Sequence, residues 1–203
     1  MKKYYILFLV LCSLIFNIGG TKAQPTMENT VPFHSKVTFT TTNFNHIRVN
    51  TLKKNYNKQH LDPLIWYYWY HKDTINRSQG TYSGKLLNGP YEEYFENWSP
   101  KTLGNFEHGM KTGVWKQWDH TGRLRKVSNW VKSKETGLFI LFNEEGEILQ
   151  KGKMKDGRLH GKITTYSQAD SLTTTHKKFR NGVSLSKNKG LFKKMYDKIT
   201  SNL

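Results

Sequence analysis

The sequence predicts a mainly β fold: a single-layer ribbon of successive antiparallel β-hairpins, ended by a C-terminal amphipathic capping helix. Three observations predict it. Gly89, Gly113, Gly137 and Gly161 recur at an interval of 24 residues, and large apolar or aromatic residues keep phase with them. Each interval carries two apolar runs and two turn signals, the content of one hairpin plus the connection to the next. Past the last repeat, apolar residues shift to helical spacing.

In chain order, Lys2 and Lys3 precede an apolar run over 4–18, Gly19-Gly20 breaks it, and Thr21-Lys22-Ala23 places small residues before Gln24. This is the form of a secretory signal over 1–23, with the exported chain starting at Gln24. The run is shorter than the ~20 residues of a membrane span. The expected location is therefore the periplasm or the cell exterior. Cys12, the one cysteine, lies within the run, and Leu11 before it is too large for a lipidation motif. An exported chain without cysteine can use neither disulfides nor thiolate chemistry. Losing Lys2, Lys3 and Lys22 lowers the formal charge from +17 to +14, still strongly basic.

The N-terminal segment 24–62 is read as one strand and a linker. Lys36-Val37-Thr38-Phe39-Thr40 alternates polar and apolar residues as a strand does. The Asn-rich stretch 43–60 reads as linker, and Asp62-Pro63 marks the entrance to a repeat domain over 63–182. Trp66-Tyr67-Tyr68-Trp69-Tyr70 lies one period before Tyr91 and Tyr94, and reads as a degenerate half-repeat capping the array.

Within the array, Tyr91, Trp115, Phe139 and Ile163 stand two residues after each glycine, and Tyr94, Trp118, Phe142 and Tyr166 five after. Tyr82, Phe106, Trp130 and Met154 precede the glycines, and Gly80, Gly104 and Gly152 hold a further column that Ser128 interrupts. Asp119-His120-Thr121-Gly122 and Asn143-Glu144-Glu145-Gly146 supply one kind of turn; Glu107-His108-Gly109 and Lys155-Asp156-Gly157 begin the other. The repeat glycines Gly89, Gly113, Gly137 and Gly161 are assigned a structural role. The columns are expected to stack on neighbouring hairpins, and an aromatic strip is expected to remain available to a partner.

Gly113-Val114-Trp115-Lys116-Gln117-Trp118-Asp119-His120-Thr121-Gly122 and the matching stretch from Gly137 to Gly146 resemble MORN repeats, in the bacterial variant whose units run Gly-x-aromatic-x-x-aromatic and then an Asn/Asp-Gly turn. The resemblance covers about 64–182. It implies a ribbon of antiparallel hairpins acting as an interaction scaffold, and some such proteins are proposed to lie on membranes. Bacterial relatives are often described as antitoxin-like, which implies an immunity role as one alternative.

After Tyr166 the phase slips. Phe179-Arg180-Asn181-Gly182 resembles the start of another unit, and Leu191, Phe192, Met195, Tyr196, Ile199 and Leu203 then follow helical spacing. A basic helix over 183–203 is expected to cover the open edge of the sheet. Residues 176–203 carry eight Lys and Arg against Asp197 alone.

These features predict a non-enzymatic exported scaffold that binds another envelope or secreted protein through an aromatic and basic sheet surface. The candidate aromatic residues are Trp98, Trp115, Trp118, Trp130, Phe139 and Phe142; the candidate cations are Lys177, Lys178, Arg180, Lys193 and Lys194. The alternative is a peripheral binder of anionic envelope lipid or glycan through the lysines. An exported location argues against nucleic acid as the partner. No catalytic residue, cofactor or metal site is predicted: the eight histidines show no His-x-x-x-His or His-x-His spacing, and no nucleophile elbow or phosphate loop is present.

Overall fold

A computed structural model of the chain describes residues 34–53, 61–166, 174–185, 196–198 and 200–201. The signal sequence expected over 1–23 and most of the expected helix fall outside them. The described strands are β1 His34–Thr40, β2 His46–Leu52, β3 Trp66–His71, β4 Thr74–Gln79, β5 Lys85–Tyr94, β6 Pro100–Glu107 and β7 Met110–Trp118. They continue with β8 Leu124–Val131, β9 Lys134–Phe142, β10 Ile148–Lys155, β11 Arg158–Tyr166, β12 Thr174–Arg180 and β13 Val183–Ser184. One open antiparallel sheet runs β1-β2-β5-β6-β7-β8-β9-β10-β11-β12-β13, with β3 and β4 off that path.

Two kinds of turn alternate, and local chemistry selects each. At 72–73, 108–109, 132–133, 156–157 and 181–182 both turn residues have positive φ. That geometry matches the twist of the flanking strands and draws Asn, Asp and Gly to these positions. At the other end of the sheet, longer turns close on themselves: the Asp119 amide donates to the Arg123 carbonyl at 3.0 Å, and the Gly122 amide to the Asp119 carbonyl at 3.0 Å. The Asp119 carboxylate also accepts from the Thr121 and Arg123 amides at 3.0 and 3.1 Å. Asn143 repeats this with Glu145 and Glu147 at 3.1 and 2.8 Å, one period later.

The 24-residue interval is thus one pair of strands, and its columns interlock across the ladder. Gly89, Gly113, Gly137 and Gly161 stand opposite Phe106, Trp130, Met154 and Phe179. The small residues Gly104, Ser128 and Gly152 stand opposite Tyr91, Trp115 and Phe139. Each of these large side chains therefore lies over a residue small enough to admit it. Tyr91 stacks on Trp115 with ring centroids 5.5 Å apart, and Phe106 meets Trp115 edge-on at 5.1 Å. Side chains buried this completely stabilise by about 1.5–3 kcal/mol each.

Three expectations are corrected. Residues 46–52, within the expected linker, form strand β2, in which Ile47 and Val49 are buried against Phe39 and Leu87. Alternate burial of so few apolar residues was enough to fix a strand inside an Asn-rich stretch. The half-repeat 66–79 does not extend the ribbon as a cap, because β2 already pairs with β5 from His46↔Tyr94 to Thr51↔Leu87. Hairpin β3–β4 is joined to β5 by Trp69↔Leu86 and Tyr70↔Lys85, and lays Tyr68, Tyr70 and Ile75 on the aromatic cluster. The ribbon is consequently a second layer thick there. Third, the capping helix expected over 183–203 begins no earlier than the β13 strand allows, because Asn181-Gly182 turns the chain back beside β12. The described helical part is one turn at 196–198 with residues 200–201. Tyr196 packs edge-on against Phe139 at 5.4 Å, so it covers a face of the sheet and not an edge.

Candidate interaction surface

The two sides of the sheet differ. The core side carries Tyr91, Trp115, Phe139 and Ile163, covered by hairpin β3–β4 toward one end and by Tyr196 toward the other. Residues alternate sides along a strand. Positions two and five after each glycine differ by an odd number, so Tyr94, Trp118, Phe142 and Tyr166 lie on the opposite side.

The predicted aromatic strip is therefore divided. Trp115 and Phe139 are 3% and 1% exposed and belong to the core. Trp130 is half-buried on the same side, its indole N–H donating to the Ser128 hydroxyl at 2.9 Å. Trp118 and Phe142 are partly exposed on the open side. Trp98 is 50% exposed and lies parallel to the His46 ring at 3.9 Å, with the Arg48 guanidinium 5.2 Å from its centre. His46, Arg48 and Tyr94 all face the open side, which the Tyr94 hydroxyl bond to Glu92 and the Arg48–Glu92 ion pair share.

The cations divide as well. Lys178 and Arg180 are exposed, and Lys178 pairs with Lys162 on the open side; Lys177 pairs with Ile163 on the core side. Lys193 and Lys194 lie outside the described residues. Residues not anticipated from composition fill the rest of the open side. Val114 and Leu138 are exposed at one position of the period, and beside them stand Lys116, Lys151, Lys153 and Lys162. Among the described residues of β7–β12, no Asp or Glu shares that side. Alternation within a strand could have found Val114, Lys116, Leu138 and Lys162, each an even number of places from the Gly+5 aromatic of its own strand; Lys151 and Lys153, on β10, are placed on this side only by pairing with Ile140 and Leu138.

Trp98 occupies a costly conformation. Gly122 and Gly146 hold the left-handed position of their turns, at φ of 82° and 86°; one period earlier Trp98 holds it at φ 62°, and in the β1–β2 turn Phe44 does so at φ 59°. An L-residue there costs about 1–2 kcal/mol relative to glycine. Phe44 is 62% exposed, so burial does not offset that cost.

The core side holds a buried ionic cluster that no sequence pattern announced, because its members are 9, 61 and 70 residues apart in pairs. Lys126 donates to Glu135 at 3.0 Å and to the Tyr196 hydroxyl at 2.9 Å, and that hydroxyl donates to Glu135 at 2.7 Å. Burial, and then the Glu135 charge, push the Tyr196 hydroxyl well above the usual tyrosine range. The Lys111 amine lies 4.1 Å from the Trp115 ring centre and 4.9 Å from that of Trp130. Burial, with Lys126 nearby, lowers it to about 8. A groove of about 580 Å³ opens beside the cluster, between Trp66, Trp130, Arg158 and Tyr196. The cluster fastens the helical turn at Tyr196 to the sheet; buried pairs of this kind cost several kcal/mol if broken.

No group of three or more His, Cys, Asp or Glu among the described residues is placed to hold a metal ion, and no described helix is long and apolar enough to cross a membrane. No model of a known protein family matches the chain. No curated protein matches it in sequence.

Proposed function

We propose that this chain is an exported, non-enzymatic repeat protein of MORN type, a scaffold that presents the open side of its sheet to a partner in the cell envelope. The observation that carries the reading is the asymmetry of the two sides. One is covered by β3–β4 and Tyr196; the other leaves Trp98, Val114 and Leu138 exposed beside lysines. An apolar patch rimmed by polar residues marks an interaction site more often than a solvent surface. The first reading of the partner is another exported protein, whose apolar contacts would meet Trp118, Phe142 and Leu138.

The test is an affinity capture from the envelope fraction at low and high salt, using the exported chain and a Trp118→Ala/Phe142→Ala variant. A protein retained at high salt and lost with the variant supports the reading. Capture unchanged by the variant in all fractions removes the open side as the binding surface.

A second reading, an anionic lipid or glycan as the partner, is favoured by Lys151, Lys153, Lys162 and Lys178 standing on that side without a carboxylate. Binding of that kind weakens steeply with salt, because exposed charges are screened beyond about 10 Å at 0.1 M ionic strength.

A further inference from the structure

We infer that the open side binds an extended, β-linked acidic polysaccharide, laid along the row Tyr94–Trp118–Phe142–Tyr166 with one disaccharide per 24-residue unit. This rests on the second reading above and names its ligand. The row is formed by β5, β7, β9 and β11, every second strand of a continuous ladder. At about 4.8 Å per strand, successive rings stand ~10 Å apart and the row runs ~29 Å. Two pyranose rings of an extended β-linked chain advance by nearly that distance, so a sugar face meets an aromatic ring at every second residue. A protein partner has no reason to share this period.

Charge toward the β10–β12 end of the row identifies the polymer as acidic; at the Tyr94 end the Glu92 carboxylate on this side is paired with Arg48. Lys162 and Lys178 are directly opposed across β11 and β12, an arrangement unfavourable for like charges in a sheet. A bound carboxylate between them removes that repulsion. Lys151 holds its amine over the Tyr166 ring, 5.3 Å from its centre, so a carboxylate on a sugar beside that ring meets a cation. Thr164 and His176, joined through the Thr164 hydroxyl and the imidazole at 3.2 Å, supply further hydrogen-bonding groups beside the same ring.

A bilayer fits less well. Sheets twist by roughly 20–25° per strand, so the row turns through well over 100° between β5 and β11. A plane touches only part of such a path, whereas a flexible chain follows all of it.

The test titrates the exported chain with β-1,4-linked mannuronate oligomers of two to eight residues, with β-1,4-linked glucose oligomers of equal length, and with anionic phospholipid vesicles. Affinity for mannuronate is expected to rise with each added disaccharide up to the octamer, to exceed that for glucose oligomers, and to weaken as salt is raised. Trp118→Ala is expected to weaken octamer binding by roughly tenfold, and Trp118→Tyr to restore most of it, with unchanged circular dichroism in both. Affinity independent of length, indifference to Trp118→Ala, or binding to vesicles alone overturns the inference. If the envelope capture instead yields a protein lost with Trp118→Ala/Phe142→Ala and not displaced by mannuronate, the polysaccharide fails and the open-side scaffold stands. If neither experiment responds to these two residues, both fall.

Discussion

Gly104→Ala and Gly113→Ala separate two different jobs that glycine performs in this sheet. A Cβ on Gly104 would stand 2.2 Å from the Trp115 ring, while a Cβ on Gly113 meets nothing within 4 Å and is opposed only by a φ of +67°. The Trp115 ring has little room to retreat, because Tyr91 stacks on it at 5.5 Å and Phe106 meets its edge at 5.1 Å. Overpacking a core costs typically about 1–3 kcal/mol, and the tightness of this contact places Gly104→Ala near the upper end. At Gly113 the left-handed conformation costs about 1–2 kcal/mol for an L-residue. The stiffer unfolded chain returns about 0.4–1 kcal/mol of that. The net loss is therefore smaller, about 1 kcal/mol. In a chain of this length 1 kcal/mol moves the melting temperature by roughly 2–4 °C, so Gly104→Ala should lower it by roughly 6–12 °C and Gly113→Ala by roughly 2–4 °C. Scanning calorimetry reads both. Trp115→Leu combined with Gly104→Ala should recover part of the loss, since the smaller side chain vacates the space the methyl needs; a double-mutant cycle gives the coupling. Equal losses for the two alanine variants, or no coupling between 104 and 115, would refute the interlocked-column account.

Alkaline stability should reflect two buried groups with opposite signs. Lys111 is lowered from 10.5 to about 8, so between those values the unfolded chain binds the extra proton and stability rises with pH. Tyr196 is raised from 10.0, so above that value the unfolded chain loses its proton first and stability falls. In urea unfolding from pH 7 to 11, Lys111→Met should abolish the rise and Tyr196→Phe the fall. At the acid end, burial pushes Asp119 up, but hydrogen bonds from the Thr121 hydroxyl, the Arg123 amide and Arg125 outweigh it and hold it at about 2. That contribution is present above 3.8 and lost as pH drops toward 2, and Asp119→Asn should remove it. Glu135→Gln should destabilise by about 3–5 kcal/mol by leaving Lys126 buried without a counter-charge, whereas Lys126→Met/Glu135→Leu should cost far less. Phe44→Gly should raise stability by about 0.5–1 kcal/mol, the relief of left-handed strain less the entropy of glycine in the unfolded chain; a loss of stability would show that its exposed ring makes a contact worth more than the strain.

The repeat period, the two kinds of turn and the antiparallel hairpins were legible in the sequence because each depends on residues a few places apart. Positive φ at Gly157, the Asx hydrogen bonds of Asp119 and Asn143, and the match of small to large across a ladder are local and recur every 24 residues. Period alone could not say that β2 would take the place beside β5, because Ile47 and Val49 compete for that edge with Tyr67 and Tyr70 on equal local terms. Burial against Phe39 and Leu87 decided it, and hairpin β3–β4 was displaced onto the face. The same tertiary choice divided the candidate aromatic strip: with one side covered, Trp115 and Phe139 became core, and Trp118 and Phe142 were left partly exposed on the other side. Lys126, Glu135 and Tyr196 were unremarkable as residues until the fold brought positions 61 and 70 apart in the chain within hydrogen-bonding distance. A repeating sequence determines what each unit is; which of its sides meets water depends on contacts between segments that no period relates.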